Sequence, residues 1–287
     1  MPPRERRFDA IGTSWRIDTA EPLEDEDFTA ILARIDGFDR AYSRFRADSL
    51  VRRLAREGGT VEFPEDGRPL FALYDALYRL TGGAMTPLVG ASLERLGYDA
   101  DYRLEPSGPA LPSPAWEDTL TIDGTRVTAS GPVLLDVGAA GKGRLVDLVQ
   151  DELRALGAAE STVDASGDLR HAGPEPLRVA LEHPYDAGRA IGLVEVTGAL
   201  CASAANRRAW GDGLHHVLDG RTGLPVRKVV ATWVLADTAL VADGLATALF
   251  LAEPAALAAE FDFAYVRMFT DGTAEWTADL PGEVFTS

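Results

Sequence analysis

The segment Leu134-Leu-Asp-Val-Gly-Ala-Ala-Gly-Lys-Gly-Arg-Leu-Val-Asp147 restricts this chain more than any other. Apolar Leu134 and Leu135 predict the end of a strand. Gly138, Ala139, Ala140, Gly141 and Gly143 predict a turn nearly devoid of side chains. Leu145, Val146, Val149, Leu153 and Leu156 then recur at helical spacing until Gly157 stops the helix. Small residues ahead of a helix leave backbone N–H groups free and let a ligand approach the main chain. Asp136 and Lys142 set one charge of each sign at the same turn. An ordinary strand-to-helix connection with solvated charges has the same signature, so the segment marks a place for chemistry without specifying it.

What could bind there is bounded by charge. The net charge is -17 over 287 residues, which argues against nucleic acid or an anionic membrane as partner. A polyphosphate ligand would need a local cation: Lys142, an arginine or a metal ion. Cys201 is the only cysteine, so no internal disulfide and no multi-cysteine metal site can form. Met1-Pro-Pro-Arg-Glu-Arg-Arg7 is charged, without the apolar core of a signal peptide or a lipobox. No run is long and apolar enough to span a bilayer. The expectation is a cytoplasmic protein without membrane insertion.

Around the central segment, Ala10 to Ile17 reads as a strand with Gly12 near its start. Asp25 to Tyr42 is an amphipathic helix, with Phe28, Ile31, Leu32, Ile35, Phe38 and Tyr42 on one face. Leu50 to Arg56 predicts a short helix stopped by Gly58-Gly59, and Pro69 to Thr81 a longer one. Ala84 to Gly90 reads as an exposed apolar turn. Asp99 to Trp116, rich in Pro and polar residues, reads as a loop and possible lid. Strands are expected at 161–164, 177–181, 191–196, 214–218 and 229–235. A helix capped by Asp237 or Thr238 should run to Leu251, and a hairpin should turn at Asp271-Gly272. Helices early and strands late predict an α+β fold.

Among chemistry-bearing residues, Asp243 and Thr247 stand four apart in a predicted helix, which puts a carboxylate and a hydroxyl on one face. Two hard oxygen donors one turn apart suit Mg²⁺; an internal Asp–Thr hydrogen bond fits the same spacing. Burial among alanines and leucines means the carboxylate needs a cation or strong donors. His215 and His216 alternate on a predicted strand, one toward a site and one toward solvent. Arg221 reads as a phosphate fork. A nucleophile elbow, a Walker loop and a dinucleotide-binding fingerprint are all missing.

Taken in order, these segments resemble the ApbE family of flavin transferases. Ile11-Gly-Thr13 is similar to its Met-Gly-Thr opening, Ser43-Arg-Phe45 with Asp48-Ser49 to its Ser-x-Phe/Tyr…Asp-Ser segment, and Gly83-Ala-Met-Thr-Pro87 to Gly-Ala-Phe-Asp-Pro. Leu135-Asp-Val-Gly-Ala-Ala-Gly-Lys-Gly143 resembles Leu-Asp-Leu-Gly-Ala-Ile-Ala-Lys-Gly. Asp164-Ala-Ser-Gly-Asp168 stands at its Gly-Gly-Asp turn. His216-Val-Leu-Asp-Gly-Arg-Thr-Gly223 resembles His-Ile-Ile-Asp-Pro-Arg-Thr-Gly, and Asp243…Thr247 its Ala-Asp-x-x-Ala-Thr helix.

The resemblance implies a single domain over 1–287, with mixed or antiparallel sheets and helices packed in two lobes around an FAD cleft. It implies Mg²⁺ held by the Ala139 carbonyl, Asp243 and Thr247. Asp136 and Lys142 would contact FAD. Ile11, Ser43, Arg44, Phe45, Ala84, Met85, Thr86, Ser203 and His216 would line the flavin site. The implied reaction moves FMN from FAD, a substrate, to a Thr hydroxyl of an acceptor flavoprotein and releases AMP, with Asp243 and His216 as catalytic residues. FAD pyrophosphatase activity, or FAD binding without turnover, are the alternatives. The chain departs from the family pattern at Ile11 for Met, Thr86 for Asp and Gly220 for Pro. Cys201-Ala-Ser-Ala-Ala-Asn206 also replaces a Thr-Ser-Gly-Asp-Tyr run, keeping only Ser203.

Overall fold

A computed structural model describes residues 4–285. Its frame is an eight-stranded sheet in the order β1-β2-β6-β7-β10-β15-β16-β17, with every pairing antiparallel. The strands are β1 (Glu5–Ala10), β2 (Thr13–Thr19), β6 (Ser161–Asp164), β7 (Asp168–Ala172), β10 (Ala199–Ala204), β15 (Val229–Ala236), β16 (Ala264–Phe269) and β17 (Ala274–Trp276). Two smaller antiparallel sheets flank it. One holds β3 (Gly59–Glu62), β5 (Arg126–Ala129) and β4 (Leu120–Asp123). The other holds β18 (Gly282–Val284), β9 (Asp186–Val196) and β8 (Leu177–His183). Two-residue ladders pair β11 (Ala209–Trp210) with β12 (Leu214–His215), and β13 (Leu218–Asp219) with β14 (Leu224–Pro225).

Helices cover one face of the large sheet: α1 (Asp25–Tyr42), α2 (Leu50–Glu57), α3 (Gly67–Leu80), α6 (Gly141–Ala155) and α7 (Ala239–Ala248). Shorter turns of helix are α4 (Gly90–Arg95), α5 (Trp116–Thr119) and α8 (Pro254–Leu257). Strand alternation sends Trp15, Ile17, Val163, Cys201 and Val234 into the core under these helices. It sends Leu169, Leu200, Trp233 and Leu235 to the other face, against the sheet of β8, β9 and β18. With both faces covered, β15 is apolar almost without interruption. The arrangement is the α+β class expected, and no described helix is long and apolar enough to cross a membrane.

Several local expectations change. Leu134 and Leu135 are buried but belong to no strand; the chain there is extended, and Asp136 N–H donates to the Pro87 carbonyl. Ala10 to Ile17 is not one strand but a hairpin, because Ile11 and Gly12 both take positive φ (46° and 76°) and reverse the chain. The turn at 84–90 is not exposed: Ala84, Met85 and Leu88 are buried. The strand expected at 214–218 is broken after His215, and Leu32 of α1 points outward. Asp99 to Ala115 is irregular, as expected, and Tyr102 from it stacks on Phe45 at 5.3 Å between ring centroids.

One buried carboxylate positions α7. Asp147, on the inner side of α6, accepts from the backbone N–H groups of Ala239 and Leu240 (2.9 Å each) and pairs with Arg170 at 2.5 Å. Thr238 caps the same helix end by accepting from Val241 N–H. Asp147→Ala strands Arg170 and uncaps α7, so we expect a stability loss of about 3–5 kcal/mol, the cost of breaking a buried pair. Asp147→Asn, which keeps an acceptor, should lose less; urea unfolding of both variants measures the difference.

Candidate functional site

One cleft of ≈ 1060 Å³ runs along the seam between the helices and one end of the large sheet. Lining it are Ile11, Ser43, Arg44, Phe45, Met85, Thr86, Asp136, Ala139, Lys142, Ser203, His216, Asp243 and Thr247. These residues come from seven separated segments, so the fold gathers what the sequence spreads. Ala84 does not line the cleft. Its side chain is buried, and its carbonyl accepts from Gly220 N–H at 2.8 Å.

The turn ahead of α6 works differently from the expectation of free N–H groups. Gly138 N–H donates to Asp136 Oδ1, Ala140 and Gly141 donate to the Val137 carbonyl, and Gly143 donates to Asp243 Oδ2 at 2.8 Å. The small residues serve close packing instead. A Cβ at Gly143 would stand 2.1 Å from the Ala239 carbonyl oxygen and 2.6 Å from Asp243 Cβ. That contact brings α6 against α7 and sets the Asp243 carboxylate facing the turn.

Asp243 and Thr247 share one face of α7, but they do not bond to each other. Thr247 Oγ1 donates to the Ala139 carbonyl at 3.4 Å, and Asp243 lines the same cleft. Burial, reinforced by the nearby Asp168 charge, pushes the Asp243 carboxyl well above its usual range. Asp168, buried at 1% exposure, pairs with Lys142 at 3.0 Å, and Lys142 also donates to the Ala165 carbonyl. Burial opposes the charge on Lys142, but Asp168 and Asp243 outweigh it and hold the ammonium firmly protonated. Two buried carboxylates share one lysine, which leaves room for a further cation. Among the described residues no three His, Cys, Asp or Glu side chains converge into a metal cage. The donors are hard oxygens of mixed type, a set that fits Mg²⁺ with its remaining positions filled by phosphate and water.

In the same cleft, Arg44 reaches Asp136 at 2.5 Å and lies over the rings of Phe45 (4.1 Å) and Tyr98 (4.7 Å). Burial alone would raise the Asp136 carboxyl, but the Arg44 charge and hydrogen bond bring it below its ordinary value. Both terminal nitrogens of Arg44 are buried without a partner, as is His216 Nδ1. Burial, with the Arg208 charge, pushes His216 down to about 3, so the imidazole is neutral. Its neighbour His215 does not face solvent; it is buried and bonds the Val226 carbonyl through Nε2 at 2.7 Å. Arg221 is no phosphate fork. It is held by Asp219 through two hydrogen bonds, away from the cleft lining.

Sequence reading gave no role to Asp147, Asp168, Tyr98 or Tyr102. Asp147 had a visible signal, a carboxylate inside the apolar run Leu145 to Val149; the others had none beyond residue type.

An α+β frame thus holds, in one large cleft, hard oxygen donors together with an arginine set among aromatic rings. The chain belongs to the ApbE family, whose model matches residues 11–264. It is 35% identical to the FAD:protein FMN transferase of Rhodobacter capsulatus over 185 residues, 59% of this chain and only 35% of that relative's length. It is 28% identical to the FAD:protein FMN transferase of Haemophilus influenzae over 79% of this chain and 71% of the relative. The crystal structure of the ApbE protein of Thermotoga maritima superposes with a TM-score of 0.82 at 24% identity, covering 96% of each chain.

Two departures from the family pattern touch each other. A Cβ on Gly220 would stand 2.5 Å from the Thr86 methyl and 3.1 Å from the Ala84 carbonyl oxygen. Thr86 therefore occupies the room that a side chain at 220 requires. Gly220→Ala should cost about 1–3 kcal/mol by overpacking. Thr86→Ser, which removes only the methyl, should recover most of that in the double variant; a double-mutant cycle by thermal unfolding measures the coupling.

Proposed function

We propose that this chain is an Mg²⁺-dependent FMN transferase, moving FMN from FAD to a Thr hydroxyl of an acceptor flavoprotein and releasing AMP. The observation that carries the reading is the continuity of one cleft from the Phe45–Arg44 end to the oxygens of Ala139, Asp243 and Thr247. Family membership and the names of the relatives support it.

The Ala139 carbonyl, Asp243 and Thr247 would hold Mg²⁺, which when bound disperses charge on the diphosphate. Lys142, kept charged by Asp168, sits beside the same oxygens and attracts the phosphate. Gly143 N–H fixes one oxygen of Asp243, leaving the other for the metal. Arg44 and Phe45 line the part of the cleft where the flavin ring would sit, and Phe45 and Met85 would give that ring apolar surface. In the transfer, the acceptor Oγ forms a bond to the FMN phosphorus. The phosphoanhydride bond breaks with its electron pair staying on AMP, and the hydroxyl proton passes to water. His216, which burial keeps neutral, lines the cleft and would hydrogen-bond the incoming hydroxyl.

AMP release from FAD, measured with Mg²⁺ and with or without a Thr-bearing acceptor domain, tests the reading. AMP should appear only with acceptor, and the acceptor should fluoresce as a flavin conjugate after denaturation. Asp243→Ala should lower the rate by more than about 100-fold, beyond the loss typical of outer-shell partners of a metal. AMP without acceptor would identify a pyrophosphatase, and FAD binding without AMP a flavin carrier.

A further inference from the structure

We propose that Arg208 is a catalytic residue of the transfer, contacting the diphosphate of FAD and neutralising the charge that gathers on the departing AMP phosphate. The assignment rests on the transferase reading above and adds a residue that neither the motif series nor the metal site includes.

Arg208 ends the single helical turn Ala205–Arg208 that follows β10, and it lines the cleft. Its guanidinium carbon lies 5.9 Å from the centre of the Tyr98 ring, the ring that also carries Arg44. It shares the lining of that cleft with Asp136, His216 and Asp243. The other cations near it are held by carboxylates: Arg44 by Asp136, Lys142 by Asp168, and the adjacent Arg207 by Glu182. Arg208 has no ion pair and no side-chain hydrogen bond among the described residues, and it is exposed. In a chain of net charge -17 an arginine left unpaired in a cleft lined by carboxylates is an available cation.

The chemistry gives that cation a task. The acceptor Oγ–P bond forms as the P–O bond to AMP breaks; the electron pair stays on AMP and the hydroxyl proton goes to water. Negative charge on the leaving phosphate exceeds that in bound FAD, so a mobile planar fork placed there stabilises the transition state more than the ground state.

The test compares wild type with Arg208→Ala and Arg208→Lys in the full chain, using FAD, Mg²⁺ and a Thr-bearing acceptor domain. FAD affinity is read by flavin fluorescence and turnover by AMP release. Arg208→Ala should lower kcat by about 10²–10³-fold, as for loss of one charge-stabilising donor, while FAD affinity changes less than about tenfold. Arg208→Lys should recover part of the loss. Added guanidinium ion should accelerate Arg208→Ala and leave wild type unchanged. The melting temperature should stay put, because the side chain is exposed. An alanine variant with kcat near wild type overturns the assignment. So does one whose whole loss lies in FAD affinity, or one that guanidinium fails to rescue. Wild type that releases no AMP overturns the transferase reading itself, and this assignment with it.

Discussion

Two helices meet at Gly143 with no room for a methyl group, and the site depends on that contact. The helix dipole and caps place α6 and α7 only approximately; the backbone-to-backbone approach at Gly143 fixes their separation. Its N–H then holds Asp243, while Asp147 one turn further along α6 holds the first two N–H groups of α7. One helix thus grips the other at two points. Asp243 and Thr247 are presented to the Ala139 carbonyl as a consequence of packing, with no dedicated loop required.

Burial makes this arrangement electrically demanding. Asp168 and Asp243 are both nearly sealed from solvent, and Lys142 is the one cation tied between them. Such a cluster is tolerable in the free protein only because Asp243 is pushed toward its protonated form, its usual range having been shifted by burial. A divalent cation held at the same carboxylate would favour its ionised form. Asp136 follows the opposite plan, its carboxyl held below its ordinary value by Arg44, whose guanidinium lies over two aromatic rings.

Much of this was legible in the residues, and the failures have physical causes. The amphipathic α1 and the caps of α2 and α7 follow from periodicity and side-chain chemistry, because those signals are local. The i, i+4 placement of Asp243 and Thr247 is also local, and it held. The hairpin at Ile11-Gly12 was missed because an isoleucine with positive φ has no local signature; tertiary packing enforces it. The glycines before α6 were visible, but their purpose was misjudged. Nothing in sequence distinguishes a glycine that frees N–H groups for a ligand from one that admits a neighbouring helix. The partner of each charge was equally hidden: Arg221 chose Asp219 two residues away, while Lys142 chose Asp168 on a strand.

The departures from the family pattern separate along the same lines. Thr86 and Gly220 meet each other, so one change makes room for the other. Cys201 faces α7, where its thiol donates to the Ala239 carbonyl and burial pushes it far above its normal range, so it is a packing residue without nucleophilic character. Alternation along β10 then turns Ser203 to the same side as Cys201, into the cleft, and Ala202 and Ala204 to the other, against the sheet of β8 and β9. Ala202, Ser203 and Ala204 all border the cleft, and within the altered run the hydroxyl of Ser203 is kept. The oxygens of Ala139, Asp243 and Thr247 lie outside every altered segment.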